Sequence, residues 1–289
     1  MDQLLKIGNY VGIALIIGIP LYLILAGALG FKYRKKLFGT RRIPEKVQSV
    51  PLEGNLFPLY FILENKGRVF LNSIQSETTC AFLLHWILDR KVVLRQNFVH
   101  QTTTGFNFEK EAKFRNKLEN RIYQIFREAS GEDLMLEADE ANRWAYFHAD
   151  QLFSIKDVEK EGKQWIEDHD FIEKENLVLP TLNKKGQQEA RKVIALMNYL
   201  DALARGKVQE MPEDGNLGYY LILSVMTKKA PQFLTALRDR CPEKLDVLAA
   251  AMGTTSDRLD ETVLDCLQIC DSLWKGDYDD PDAPEPDIN

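Results

Sequence analysis

The chain has 289 residues, 45% hydrophobic and 28% charged, with a formal net charge of −6. That composition excludes wholesale disorder, a collagen-like fibre and a multi-span transporter, and the length allows one or two domains with a sizeable core. The charge is unevenly divided: residues 1–46 carry eight basic side chains against Asp2 and Glu45, so the other 243 residues sum to −12.

From Ile7 to Phe31 no side chain is charged. At about 1.5 Å per residue a helix of this length exceeds the roughly 30 Å hydrocarbon core of a bilayer, which predicts a single transmembrane helix over about 7–31. Pro20 lies near its middle, and Tyr10 and Tyr33 stand where interfacial aromatics are favoured. Only Asp2 and Lys6 precede the run, whereas Lys32, Arg34, Lys35, Lys36, Arg41 and Arg42 follow it. Lys and Arg favour the cytoplasmic side, so the expected topology puts the N-terminus outside and the long C-terminal part in the cytoplasm. Ala26-Gly27-Ala28 has the small residues of a signal-peptidase site. The charge is on the wrong side for a signal peptide, however, and the run is longer than its usual core of about 7–15 residues, so an uncleaved anchor in the cell membrane is expected. The six basic residues are candidate contacts to anionic headgroups, each worth about 1 kcal/mol near the surface.

Residues 32–53 read as a basic juxtamembrane linker punctuated by Pro44 and Pro51. Within 54–108, Leu56, Leu59, Phe61 and Ile62 predict a short helix stopping near Gly67. Ile74, Cys80, Ala81, Leu83, Leu84, Ile87 and Leu88 predict a second, capped by Asn72 or Ser73. Val92–Phe98 has strand composition, Thr102–Gly105 reads as a turn, and Phe106 and Phe108 resume the strand. Helix, helix, strand, turn, strand is the order of a winged helix.

Residues 109–182 repeat that order, and with the following helix the second unit runs over 109–205. Phe114, Leu118, Ile122 and Ile125 share one helix face, and Ala141, Trp144, Ala145, His148 and Leu152 another. Ser154-Ile155-Lys156-Asp157 fits a capping box opening a third helix. Phe171–Pro180 reads as a hairpin turning at Glu175-Asn176, and a further helix carries Ala190, Val193, Ile194, Met197 and Leu200. In the C-terminal part, 206–275, the Tyr219–Met226 run is too short to span a bilayer and predicts a buried helix. Residues 243–252 and 256–275 predict two more. The end, 276–289, has six acidic residues, three prolines and no apolar periodicity, and is expected to be a disordered acidic tail. The expected fold is therefore mainly α with small β-hairpins (α+β): a transmembrane helix, tandem winged-helix-like units and a C-terminal helical part.

The wing Phe171–Pro180, running into Thr181-Leu182-Asn183-Lys184-Lys185-Gly186 and a helix ending Asn198-Tyr199-Leu200-Asp201, resembles the cytoplasmic part of a bacterial family of predicted membrane proteins of unknown function. The Tyr219–Val225 helix adds weaker support, and the resemblance covers about 50–235. It implies tandem winged helices behind a membrane segment and no catalytic residues. The chain departs from the family in lacking a large extracytoplasmic domain and in ending acidic rather than Gly-rich.

Motifs for chemistry are absent from the sequence: no H-E-x-x-H, no phosphate-cradling glycine loop and no nucleophile elbow. His85, His100, His148 and His169 are scattered. His148 reads as a satisfied core histidine, and Asp168-His169-Asp170 as a solvated turn. Trp86, Trp144, Trp165 and Trp274 fall at apolar helix positions. Cys80, Cys241, Cys266 and Cys270 form no C-x-x-C pair, and Cys266 and Cys270 lie on an apolar stripe that reads as core. No cofactor, metal or small-molecule substrate is implied and no enzyme is expected. Residues 154–170 sum to −3 and 73–88 carry only Glu77, which opposes a phosphate backbone. The expectation is an interaction or scaffold module at the inner leaflet, bound to an unknown protein partner. The alternative is a membrane-tethered winged-helix transcription regulator.

Overall fold

The computed structural model describes residues 49–65, 75–96, 104–173, 181–208 and 210–276. The apolar run 7–31, the residues Lys32, Arg34, Lys35, Lys36, Arg41 and Arg42, the turn residues Thr102, Thr103, Glu175 and Asn176 and the tail beyond Gly276 lie outside them. Among the described residues the fold is mainly helical with one small sheet, as expected, and no helix is long and apolar enough to cross a membrane.

The first two helices bury most of their residues and therefore need neighbours on most sides. The first, α1 (Leu56–Glu64), starts at Asn55, whose carboxamide oxygen accepts from Phe57 N at 3.0 Å, and buries every residue from Leu56 to Leu63. The second, α2 (Gln75–Leu88), buries Thr78 to Leu84, Trp86 and Ile87. At Arg90, in the left-handed region with φ 59°, the chain turns into β1 (Val93–Gln96), which runs antiparallel to β2 (Thr104–Asn107) with Leu94 opposite Phe106. Thr104 and Gly105 thus belong to the strand rather than to the expected turn. Gly105 is needed for close approach: a Cβ there would stand 2.5 Å from the sulfur of Met135.

Met135 is in β3 (Met135–Leu136), an unexpected two-residue strand that pairs antiparallel with β2 and completes the order β1-β2-β3. Between β2 and β3 runs α3 (Lys117–Ala129), capped by Asn116. Phe114, expected on this helix, precedes it and packs on Trp86 with ring centroids 5.6 Å apart. After β3 come α4 (Ala138–Phe147) and α5 (Ile155–Asp168). The expected capping box is present: Lys156 N donates to Ser154 Oγ, and Ser154 N donates to Asp157 Oδ2.

Ile172 bridges Leu182 antiparallel, and Glu173 N donates to Thr181 O at 2.7 Å, which forms the base of the predicted hairpin. Asn183 then caps α6 (Lys184–Ala204). The remaining helices are α7 (Leu217–Met226), α8 (Ala230–Arg240), α9 (Pro242–Met252) and α10 (Leu259–Lys275). α7 is buried, as expected, whereas α8 was not anticipated.

Packing crosses the boundary at 108/109. The strand β3 comes from beyond it, and α1 lies along α5. α2 is enclosed by α1, α7, α9 and α10, and α4 lies along α10. One hydrophobic cluster runs from Leu52 to Leu273.

Candidate interaction surface

Three of the four cysteines meet in the core. Cys80 of α2 meets Cys266 and Cys270 of α10 in the core, and its thiol hydrogen-bonds with both. Spacing alone could pair Cys266 with Cys270 but had no means of bringing up the third. Burial pushes all three thiols up, so they stay protonated and inert. Among the described residues no group of three or more His, Cys, Asp or Glu is arranged to hold a metal ion.

His148 is half-buried at the C-terminal end of α4 rather than in the core. Its Nδ1 lies 2.9 Å from Trp144 O, and its ring stacks on Trp144. His169 repeats the arrangement after α5, with Nδ1 2.8 Å from Trp165 O. The Asp168-His169-Asp170 turn is as expected: Asp168 accepts from Gln164 Nε2, so the imidazole faces a carbonyl and not a carboxylate. Trp86 stands in a cluster with Phe82, Phe114, Tyr123 and Phe126, and its indole N–H donates to Glu119 Oε1 at 3.1 Å.

The helix before each hairpin is where a winged helix would meet a ligand. In the first unit that helix is α2, enclosed on all sides, so it presents no face. In the second it is α5, and its charges are sorted by side. Val158, Gly162 and Ile166 are buried, and a Cβ on Gly162 would run into Phe57 O of α1. Of the acids, Asp157 caps the helix, and Glu161 accepts from Asn116 Nδ2 at 2.6 Å. Glu159 is half-buried and, together with burial, raises the Glu64 carboxyl.

What remains outside is Lys156, Lys160 and Lys163, with Gln164, Glu167 and Asp168 in the last turns. Lys163 Nζ reaches Glu167 at 3.7 Å; among the described residues no ion pair engages Lys156 or Lys160. The helix sum of −3 therefore misdescribes the outer face, whose first half is cationic. Two of these lysines stand in the N-terminal half of the helix, where the macrodipole disfavours positive charge, so helix stability does not explain them. Lys184 and Lys185, beyond the hairpin base, are also exposed, with Lys185 Nζ 4.8 Å from the Phe171 ring centroid.

Tyr146 and Phe147 at the end of α4 form an exposed aromatic pair, Phe147 being 59% exposed. The end of α10 is fixed beside them: Trp274 Nε1 donates to Thr79 Oγ1 at 3.0 Å, and the Trp274 ring lies 5.1 Å from Phe153.

Comparisons with protein-family models, curated proteins and solved structures give no match for this chain.

Proposed function

We propose that the protein is a single-pass, membrane-anchored interaction module. Residues 7–31 form the anchor with the N-terminus outside. Lys32, Arg34, Lys35, Lys36, Arg41 and Arg42 rest on anionic headgroups, and the helical body holds a protein partner at the inner leaflet. The body is read as two interlocked winged-helix-like units followed by the C-terminal helices. The observation that carries the reading is the outer face of α5, where Lys156, Lys160 and Lys163 project while Asp157 caps the helix and Glu161 is held by Asn116. Such a face suits an acidic protein surface. The reading assigns no catalytic residue and no cofactor.

A tethered transcription regulator is the second reading, favoured by the same lysines directly preceding a hairpin. Against it stand Glu167 and Asp168 on that face and the enclosure of α2, which leave few phosphate contacts. The test is affinity capture with detergent-solubilised full-length protein, beside the triple variant Lys156→Glu, Lys160→Glu, Lys163→Glu. An acidic partner retained by the first and lost by the second supports the module. Capture indifferent to the charge reversal removes α5 from the reading, and tight, salt-sensitive, sequence-selective retardation of DNA would install the regulator instead.

A further inference from the structure

We propose that the lysine face of α5 is occupied by the chain's own C-terminal segment, residues 277–289. The inference takes from the preceding reading only that this face binds an acidic ligand; a partner would then have to displace the segment.

Three observations carry it. The first is charge: 277–289 holds Asp277, Asp279, Asp280, Asp282, Glu285 and Asp287 and no basic residue, and the face offers Lys156 and Lys160, with Lys163 beside them shared with Glu167. The second is place. Trp274, pinned to Thr79 and packed on Phe153, brings the end of α10 next to the start of α5, because Phe153 stands three residues ahead of Lys156. Gly276, with φ 54°, then turns the chain out of the helix against Ala145 and Tyr146. The third is length. The 13 residues from Asp277 reach at most about 45 Å, and Lys156 to Lys163 spans only about 10 Å of helix.

Two cations on this side of the molecule are otherwise engaged: Lys275 Nζ pairs with Asp271 at 2.6 Å, and Arg121 donates to Gln151 O at 3.0 Å. A single exposed ion pair contributes little. Several pairs on a short tether act at an effective concentration in the millimolar range, and the contact must weaken with salt.

The test uses full-length protein in neutral detergent micelles and zero-length carbodiimide cross-linking with peptide mapping. Intramolecular links from the acids of 277–289 to Lys156, Lys160 or Lys163 are expected, falling about fivefold in roughly 1 M salt, where the Debye length is about 3 Å. A second readout avoids the lysines as reagents. An Asp-specific protease should clip the segment about fivefold faster in the variant Lys156→Gln, Lys160→Gln, Lys163→Gln than in the parent at low salt, and equally fast at high salt. Links confined to Lys275, Lys184 or Lys185, links only between molecules, or equal clipping of parent and variant at low salt would overturn the proposal. In that event charge-dependent capture of an acidic partner still decides the preceding reading separately.

Discussion

Burial holds the Glu119 carboxyl above the ordinary carboxylate range, against the downward pull of the Trp86 N–H, His85 and Lys91. A raised folded pKa means that the folded state binds the proton more tightly than the unfolded one. The stabilisation is complete below the unfolded value, about 4.3, and is lost as pH rises through the raised folded value. Glu119→Gln keeps an oxygen to accept from Trp86 and removes the charge. Its melting temperature should therefore fall less than the parent's as pH is raised from about 4.3 towards neutrality. An unchanged pH profile in thermal melts would show that Glu119 titrates normally. Gly162 makes a different point at the same scale. Alanine there gains helix propensity but drives its Cβ into Phe57 O and the Cβ of Phe61. The expected net loss is about 2 kcal/mol, read as a melting temperature several degrees lower.

Among the elements, α2 bears the most, because α1, α7, α9 and α10 all pack against it. Trp86→Ala should cost about 3–5 kcal/mol by denaturant unfolding, since it empties the centre of the aromatic cluster and leaves Glu119 without its donor. Which elements were legible follows from their periodicity. α1, α2, α5, α6, α7 and α10 announce themselves by unbroken apolar spacing or, for α5, by the Ser154–Asp157 box. β3 has two residues, too few for any alternation to show. α8 hid behind Pro231 and the polar run Thr227-Lys228-Lys229. Yet Pro231 stands in the first turn, where its missing N–H is no loss, and Phe233, Leu234 and Leu237 carry the buried face. Phe114 fitted the α3 spacing by coincidence, the Asn116 cap starting the helix after it. The candidate site was half-legible. Its lysines were visible, but a sum over residues 154–170 cannot say which acids turn inward to cap, to bind Asn116 or to face Glu64.

For the whole molecule, the proposed orientation rests on the basic residues that follow the apolar run 7–31, and its test is topological. A cytosolic-type reporter fused after Asn289 is expected to be active and an extracytoplasmic-type reporter silent; activity of the latter would reverse the proposed topology. The same scale shows why the two helix–hairpin units could not be told from beads on a string. Sequence order gives each its own helices and strands, while the pairing of β2 with β3 and the packing of α1 on α5 tie one unit to the other through long-range contacts.

The packing of α10 on α2 bears on how the protein is made. A nascent chain emerges from its N-terminal end, at about 5–20 residues per second, so α2 leaves the ribosome long before the helix that covers it. Until Leu273 and its neighbours arrive, Cys80 and the side of α2 that α10 covers are bare, and the thiol is open to oxidants that never reach it in the finished protein. A premature stop ahead of Leu259 would make that state permanent. Such a product would lack more than a terminal helix: it would carry a lasting hydrophobic wound through the middle of the fold, and quality-control proteases should clear it.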